Sequence, residues 1–156
     1  MVLSASADRQ ARPDIVRYRL LQAMARRVGI APLANSLMGT LFAREFREDP
    51  ARATEREAWR QDIATLSLRG ALLAVDGVLA REAVIDELPR IAVPTLVVVG
   101  AHDRAAPLRL GERVRDRIPG ARLVTVPTGH TSPVERPDLV TAAIERHLAA
   151  LMGPAR

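Results

Sequence analysis

No cysteine occurs in this chain, which removes disulfides, thiolate nucleophiles and cysteine-based metal sites together. Lysine is also missing: all 23 basic residues are arginine. A phosphate-cradling loop ending in Gly-Lys-Ser/Thr and a Schiff base on a lysine amine are therefore both excluded. No Gly-x-Gly-x-x-Gly occurs, so a dinucleotide fingerprint is missing too. Aromatic residues make up only 3%, which leaves the core to Leu, Ile, Val and Ala and gives almost nothing for bases to stack on. No stretch approaches the roughly 18 uncharged apolar residues of a membrane span. The amino terminus, Met1-Val-Leu-Ser-Ala-Ser-Ala-Asp8, lacks the basic and apolar regions of a signal peptide. Neither a membrane role nor export is expected, and a cytoplasmic protein fits.

What is present is the composition of one globular domain. The chain has 156 residues, 48% hydrophobic and 26% charged, long enough to bury an adequate core. The net charge of +5 raises the question of nucleic acid. The arginines are interleaved with 18 acids rather than clustered, as in Arg44-Glu45-Phe46-Arg47-Glu48. Solvated helix faces account for that pattern, and no nucleic-acid partner is expected.

Helical spacing dominates the first half. Residues 13–28 read as a helix opened by Pro13 and stopped by Gly29, with Ile15, Val16, Leu20, Met24 and Val28 approximating one face. Residues 32–46 read as a second, carrying Leu33, Leu37, Met38, Leu41, Phe42 and Phe46 up to the break at Asp49-Pro50. Thr54-Glu-Arg-Glu57 has the form of a capping box, predicting a helix start near residue 55. A further helix is predicted over 68–80, then a connector over 82–91 with Val84, Leu88 and Ile91 inward. The pattern then changes. Thr95–Val99 is a continuous apolar run, as expected of a strand buried on both faces. A helix over 108–118, a second buried strand over Leu123–Val126 and a last helix over Pro137–Leu151 follow. Alternating strand and helix with short loops predicts parallel crossovers and an α/β class.

Both predicted strands stop at a glycine and then present a charge. The first ends Val99-Gly100-Ala-His-Asp103, the second Val126-Pro-Thr-Gly129-His130. An acid and a base at the carboxyl ends of two neighbouring parallel strands can share one crevice. Imidazoles titrate near neutral pH, so His130 suits a general base, and Asp103 suits the group that orients it. That is two-thirds of a catalytic triad. The alternative reading of Asp103 is a helix or turn cap ahead of Pro107. Asp76 and Asp86 are weaker acids for the role because neither follows a buried strand. His102 next to Asp103 lacks companions at metal-ligand spacing, so no metal and no cofactor are expected. Ser132 and Glu135 in Ser-Pro-Val-Glu read as a second capping box, hence structural. Ser132 stands too near His130 on one loop to be its nucleophile. His147, on the apolar stripe of the last helix, reads as a core histidine. Trp59, Phe42, Phe46, Leu37 and Met38 read as helical core, with the lining of an acyl pocket as the alternative.

Taken with Ile91-x-Val93-Pro94-Thr95 before the first strand, Ile118-Pro119-Gly120-Ala121 before the second and Glu135-x-Pro137 after His130, these pieces resemble the carboxyl-terminal part of an α/β-hydrolase. The wording of residues 30–48 is similar to the enol-lactonase and small carboxylesterase branch. The resemblance implies a partial α/β-hydrolase fold, a few-stranded parallel sheet with a helical cap region. Residues 1–12 would be the end of a sheet strand and lead-in, 13–80 the cap, and 81–156 the carboxyl-terminal core segment. It also implies ester, lactone or related acyl hydrolysis through a Ser-His-Asp triad with Asp103 and His130 as acid and base. The family's Gly-x-Ser-x-Gly elbow is missing. Ser4, Ser6, Ser36, Ser67 and Ser132 all stand outside such a motif. The chain thus reads as beginning inside a fold, inactive alone, with a small acyl substrate only when completed. The alternative is a non-catalytic relic, or an assembly partner that associates with itself or with an amino-terminal half.

Overall fold

Residues 1–4 and 12–152 are described by the structure, a computed structural model; the lead-in and Ser6 lie outside them. A short strand β1 (Val2–Ser4) precedes five helices: α1 (Arg12–Val28), α2 (Ala34–Leu41), α3 (Arg44–Glu48), α4 (Ala53–Ala64) and α5 (Leu68–Leu79). The α/β part follows as β2 (Leu96–Gly100), α6 (Leu108–Arg117), β3 (Arg122–Val126), α7 (Ser132–Glu135) and α8 (Pro137–Met152).

The three strands form one parallel sheet in the order β1-β2-β3. Central β2 is buried along its whole length, because helices cover both faces. Val97 and Val99 point to a cluster with Val114 of α6 and Ile118 just after it. Leu96 and Val98 point to Val140 and Ala143 of α8. This two-sided covering is why β2 reads as an unbroken apolar run. β3 has the same kind of sequence but lies at an edge, and only Val126 is buried. The expectation of a second fully buried strand is corrected accordingly.

The helical part has its own core of Ala25, Ile30, Leu33, Ala34, Met38, Phe42, Phe46 and Ile63, with Trp59 and Leu37 packed against it. Phe42 stacks on Phe46 at 4.6 Å and meets Trp59 at 5.6 Å. Those side chains are core.

Four local expectations are overturned. The apolar row of α1 does not face inward: Val16, Leu20, Met24 and Val28 are each at least half exposed. α1 turns Gln22 and Ala25 inward instead, and Gln22 donates to the Leu72 carbonyl and the Asp76 carboxylate of α5. The single helix over 32–46 is broken: a 3-10 turn (Ala31–Leu33) leads into α2, and an extended Phe42-Ala43 separates α2 from α3. In the connector, Val84 is exposed while Leu88 is buried and Ile85 packs beside it. The Thr54 capping box is unused, since α4 starts at Ala53 with Arg52 at its cap. The start is supplied by Asp49, whose carboxylate accepts from the Ala51 N–H ahead of a 3-10 turn (Pro50–Arg52).

Candidate active site

The β2–β3 pairing continues past the strand ends into the two loops. Ala101 N–H donates to the Val126 carbonyl at 2.7 Å and His102 N–H to the Thr128 carbonyl at 2.9 Å. The backbones are so close that a Cβ on Gly100 would lie 2.1 Å from the Gly129 carbonyl oxygen. Glycine at 100 is therefore required for the approach that joins the loops.

That approach delivers Asp103 to His130. The Asp103 side chain is fully buried and its Oδ2 lies 2.9 Å from Nδ1 of His130. A carboxylate only accepts, so the shared hydrogen belongs to Nδ1, and Nε2 is the nitrogen left to exchange a proton. Oδ1 accepts the backbone N–H groups of Ala105 and Ala106 at 2.8 and 2.7 Å. The two readings of Asp103 are thus compatible: the turn ahead of Pro107 locks the carboxylate while its other oxygen faces the imidazole. The imidazole remains about one-third exposed, so a reactant can reach it.

The base loop is tied to the helical part at the break in the predicted second helix. The Leu41 carbonyl accepts from His130 N–H at 2.7 Å and from Thr131 N–H at 3.2 Å. A Cβ on Gly129 would meet Ala43 N and Leu41 O at 2.7 Å each. A continuous helix would have kept that carbonyl for its own ladder.

Other candidates take structural places. Ser132 is buried, 2.7 Å from the Thr128 hydroxyl and donating to the Gly129 carbonyl. Ser132-Pro-Val-Glu135 does not form a capping box: Thr131 is the cap of α7 and no side chain closes it. Glu135 is buried and turns away to accept from Ala43 N–H and Gly129 N–H at 2.9 Å each and from the Thr131 hydroxyl at 3.1 Å. Arg52, lying over the Phe46 ring, donates to the Glu135 and Val134 carbonyls. Sequence reasoning missed this use of Glu135 and Arg52, since local spacing carries no sign of partners so distant in the chain. His147 is buried in α8 and its Nε2 has no partner. His102 is exposed, 3.9 Å from Glu45. Asp76 pairs with Arg19 at 2.8 Å; its carboxyl is held below the usual carboxylate range by the hydrogen bond from Gln22, helped by Arg19. Among the described residues, no group of three His, Asp or Glu side chains stands together as a metal site, and no helix is long and apolar enough to cross a membrane.

The chain is similar to known proteins. The 3-oxoadipate enol-lactonase 2 of Acinetobacter baylyi is 29% identical over 136 residues, 87% of this chain and 46% of that protein. The crystal structure of the enol-lactonase from Burkholderia xenovorans LB400 superposes with a TM-score of 0.82 at 26% identity, over 94% of this chain and 55% of that one. A thermophilic esterase from Thermogutta terrifontis gives 0.77 at 28% identity, over 94% and 54%. The chain spans about half the length of these relatives. A sequence model of the alpha/beta hydrolase family matches residues 2–143, and with the parallel sheet and the two joined loops this establishes that the chain belongs to the alpha/beta hydrolase family.

Proposed function

We propose that this chain carries the base and the acid of an ester- or lactone-cleaving hydrolase. The nucleophilic serine and the oxyanion donors come from polypeptide outside this sequence. The observation that carries the reading is the contact of His130 Nδ1 with buried Asp103, which leaves Nε2 at an accessible position. Nε2 takes the serine proton as the serine oxygen bonds to the acyl carbon. It returns that proton to the departing alkoxide as the acyl carbon–oxygen bond breaks. Water then attacks the acyl-serine by the same route, releasing the acid and restoring the serine. Asp103 keeps the Nδ1–H tautomer and faces the imidazolium while it exists. The helical part, α1–α5, acts as a cap over a small acyl substrate. The likeness to an enol-lactonase and an esterase supports that substrate class.

The test is to supply an amino-terminal half of a related enol-lactonase, bearing the Gly-x-Ser-x-Gly elbow, and to follow ester and enol-lactone hydrolysis. The mixture is expected to turn over, and His130→Asn to abolish turnover while the complex still forms. Turnover indifferent to His130→Asn overturns the reading.

A second reading, a non-catalytic assembly partner, is favoured by the exposed α1 row and by Val2 on edge strand β1, 40% exposed. An exposed apolar row and an edge strand are each a surface for association. This reading predicts self-association in sedimentation, or solubility gained with an amino-terminal half. A clean monomer that unfolds cooperatively contradicts it.

A further inference from the structure

We infer that Glu135 is a positioning residue for His130, setting the imidazole against Asp103 through the backbone on both sides of it. The inference rests on the reading of His130 as the base. The carboxylate of Glu135 is buried, and the donors that meet it are neutral: Gly129 N–H and the Thr131 hydroxyl on Oε1, Ala43 N–H on Oε2. Gly129 and Thr131 are the immediate neighbours of His130, so one carboxylate grips the chain before and after the base. His130's own N–H is taken by the Leu41 carbonyl at 2.7 Å. Leu41 ends α2, and Ala43, on the far oxygen, is the N-cap of α3 two residues on. The base loop is therefore clamped to one fixed point of the helical part. Arg52 secures the other end of the short α7 by its bonds to the Val134 and Glu135 carbonyls.

A buried carboxylate is costly unless every oxygen is used. A neutral amide of the same shape cannot replace it here. Gly129 and Ala43 present N–H groups to opposite oxygens, whereas glutamine offers one acceptor oxygen and turns its NH₂ on the other donor. Glu135→Gln therefore keeps the volume and breaks one side of the clamp. A role in folding alone predicts a lower melting temperature and nothing more. A positioning role predicts a change at the ring of His130, several bonds from the substitution.

The experiment is proton NMR of the chain labelled with ¹⁵N-histidine, with His130→Asn to assign the signals. The wild-type chain is expected to show a downfield Nδ1 proton at His130 that disappears in Asp103→Asn. In Glu135→Gln that proton is expected to exchange with water roughly tenfold faster or more, the loss of one hydrogen bond to a charged group. The ring signals of His147, in α8, should stay unchanged. An exchange rate within about twofold of wild type overturns the positioning role alone. A wild-type chain with no Asp103-dependent proton overturns the acid–base reading itself and this inference with it. Should Glu135→Gln not fold, Thr131→Val carries the test: it keeps the side-chain shape and deletes the hydroxyl that donates to Glu135 Oε1 at 3.1 Å. The same acceleration is expected, and its absence overturns the inference.

Discussion

The sheet part and the helical part of this molecule are packed to different tolerances. Around β2 the fit reaches backbone contact: Gly100 lies against the Gly129 carbonyl, and a Cβ on Gly111 of α6 would stand 2.3 Å from a methyl of Val99. In the helices there is room. Gly39 and Gly77 have nothing within 4 Å of an added Cβ, and α1 leaves a whole apolar row in solvent. The tight region holds Asp103 and His130, the loose one holds all four aromatic residues, Tyr18, Phe42, Phe46 and Trp59. The parts meet at Leu41–Ala43 and at Arg52, which bonds the Val134 and Glu135 carbonyls, and these contacts hold the base loop. Under the proposed function, the chemistry needs fixed donors and acceptors, whereas a cap over the substrate can be left adjustable.

The largest effect that breaks this contrast is expected from Gly100→Ala. Its Cβ meets backbone oxygens of Thr128 and Gly129 at 2.5 and 2.1 Å, which cannot rotate away. A loss above about 4 kcal/mol is expected, in the range reserved for severe core damage, read as loss of the cooperative melting transition. Gly77→Ala within α5 is the counterpart. With open space around it, the substitution should stabilise the chain by up to about 1 kcal/mol through helix propensity, seen as a higher midpoint in urea. Leu20→Gln, on the exposed row of α1, should change the stability of the chain by no more than about 0.5 kcal/mol. A larger loss would show that the row is covered by the chain itself.

The smallest effect concerns the α1–α5 junction. The Asp76 carboxyl titrates below its ordinary value because Gln22, and then Arg19, bond its ionised form. A depressed carboxyl contributes stability above its unfolded pKa, about 3.9, and that contribution is lost as pH falls through the folded value. The melting temperatures of the wild type and Asp76→Asn should therefore differ near neutrality and converge below about pH 4. A constant gap across that range contradicts the assignment.

How far the sequence foretells the structure follows the same division. Asp103 and His130 are legible because strand, glycine and charge occur in one short window, and the ladder that joins them needs only parallel pairing. β2 is legible for the same reason. β3 is not, since strand order rather than local sequence decides which apolar run lies at an edge. The break at Phe42-Ala43 is invisible locally: Leu41 to Phe46 keep helical spacing, and it is the loop at Gly129 and His130 that claims the Leu41 carbonyl. The outward row of α1 shows the limit of periodicity, which finds a face without saying what covers it. Both capping boxes fail alike, because Thr54 is bypassed by Asp49 and Glu135 is recruited by the backbone N–H groups of Ala43 and Gly129.

The central claim is that this chain holds a base and an acid with no nucleophile of its own. The most direct measurement is the intact mass of the chain after exposure to an organophosphonate serine probe. The account predicts an unchanged mass, because none of Ser4, Ser6, Ser36, Ser67 and Ser132 lies in an elbow. A stoichiometric adduct on one of these serines, lost in His130→Asn, would contradict it.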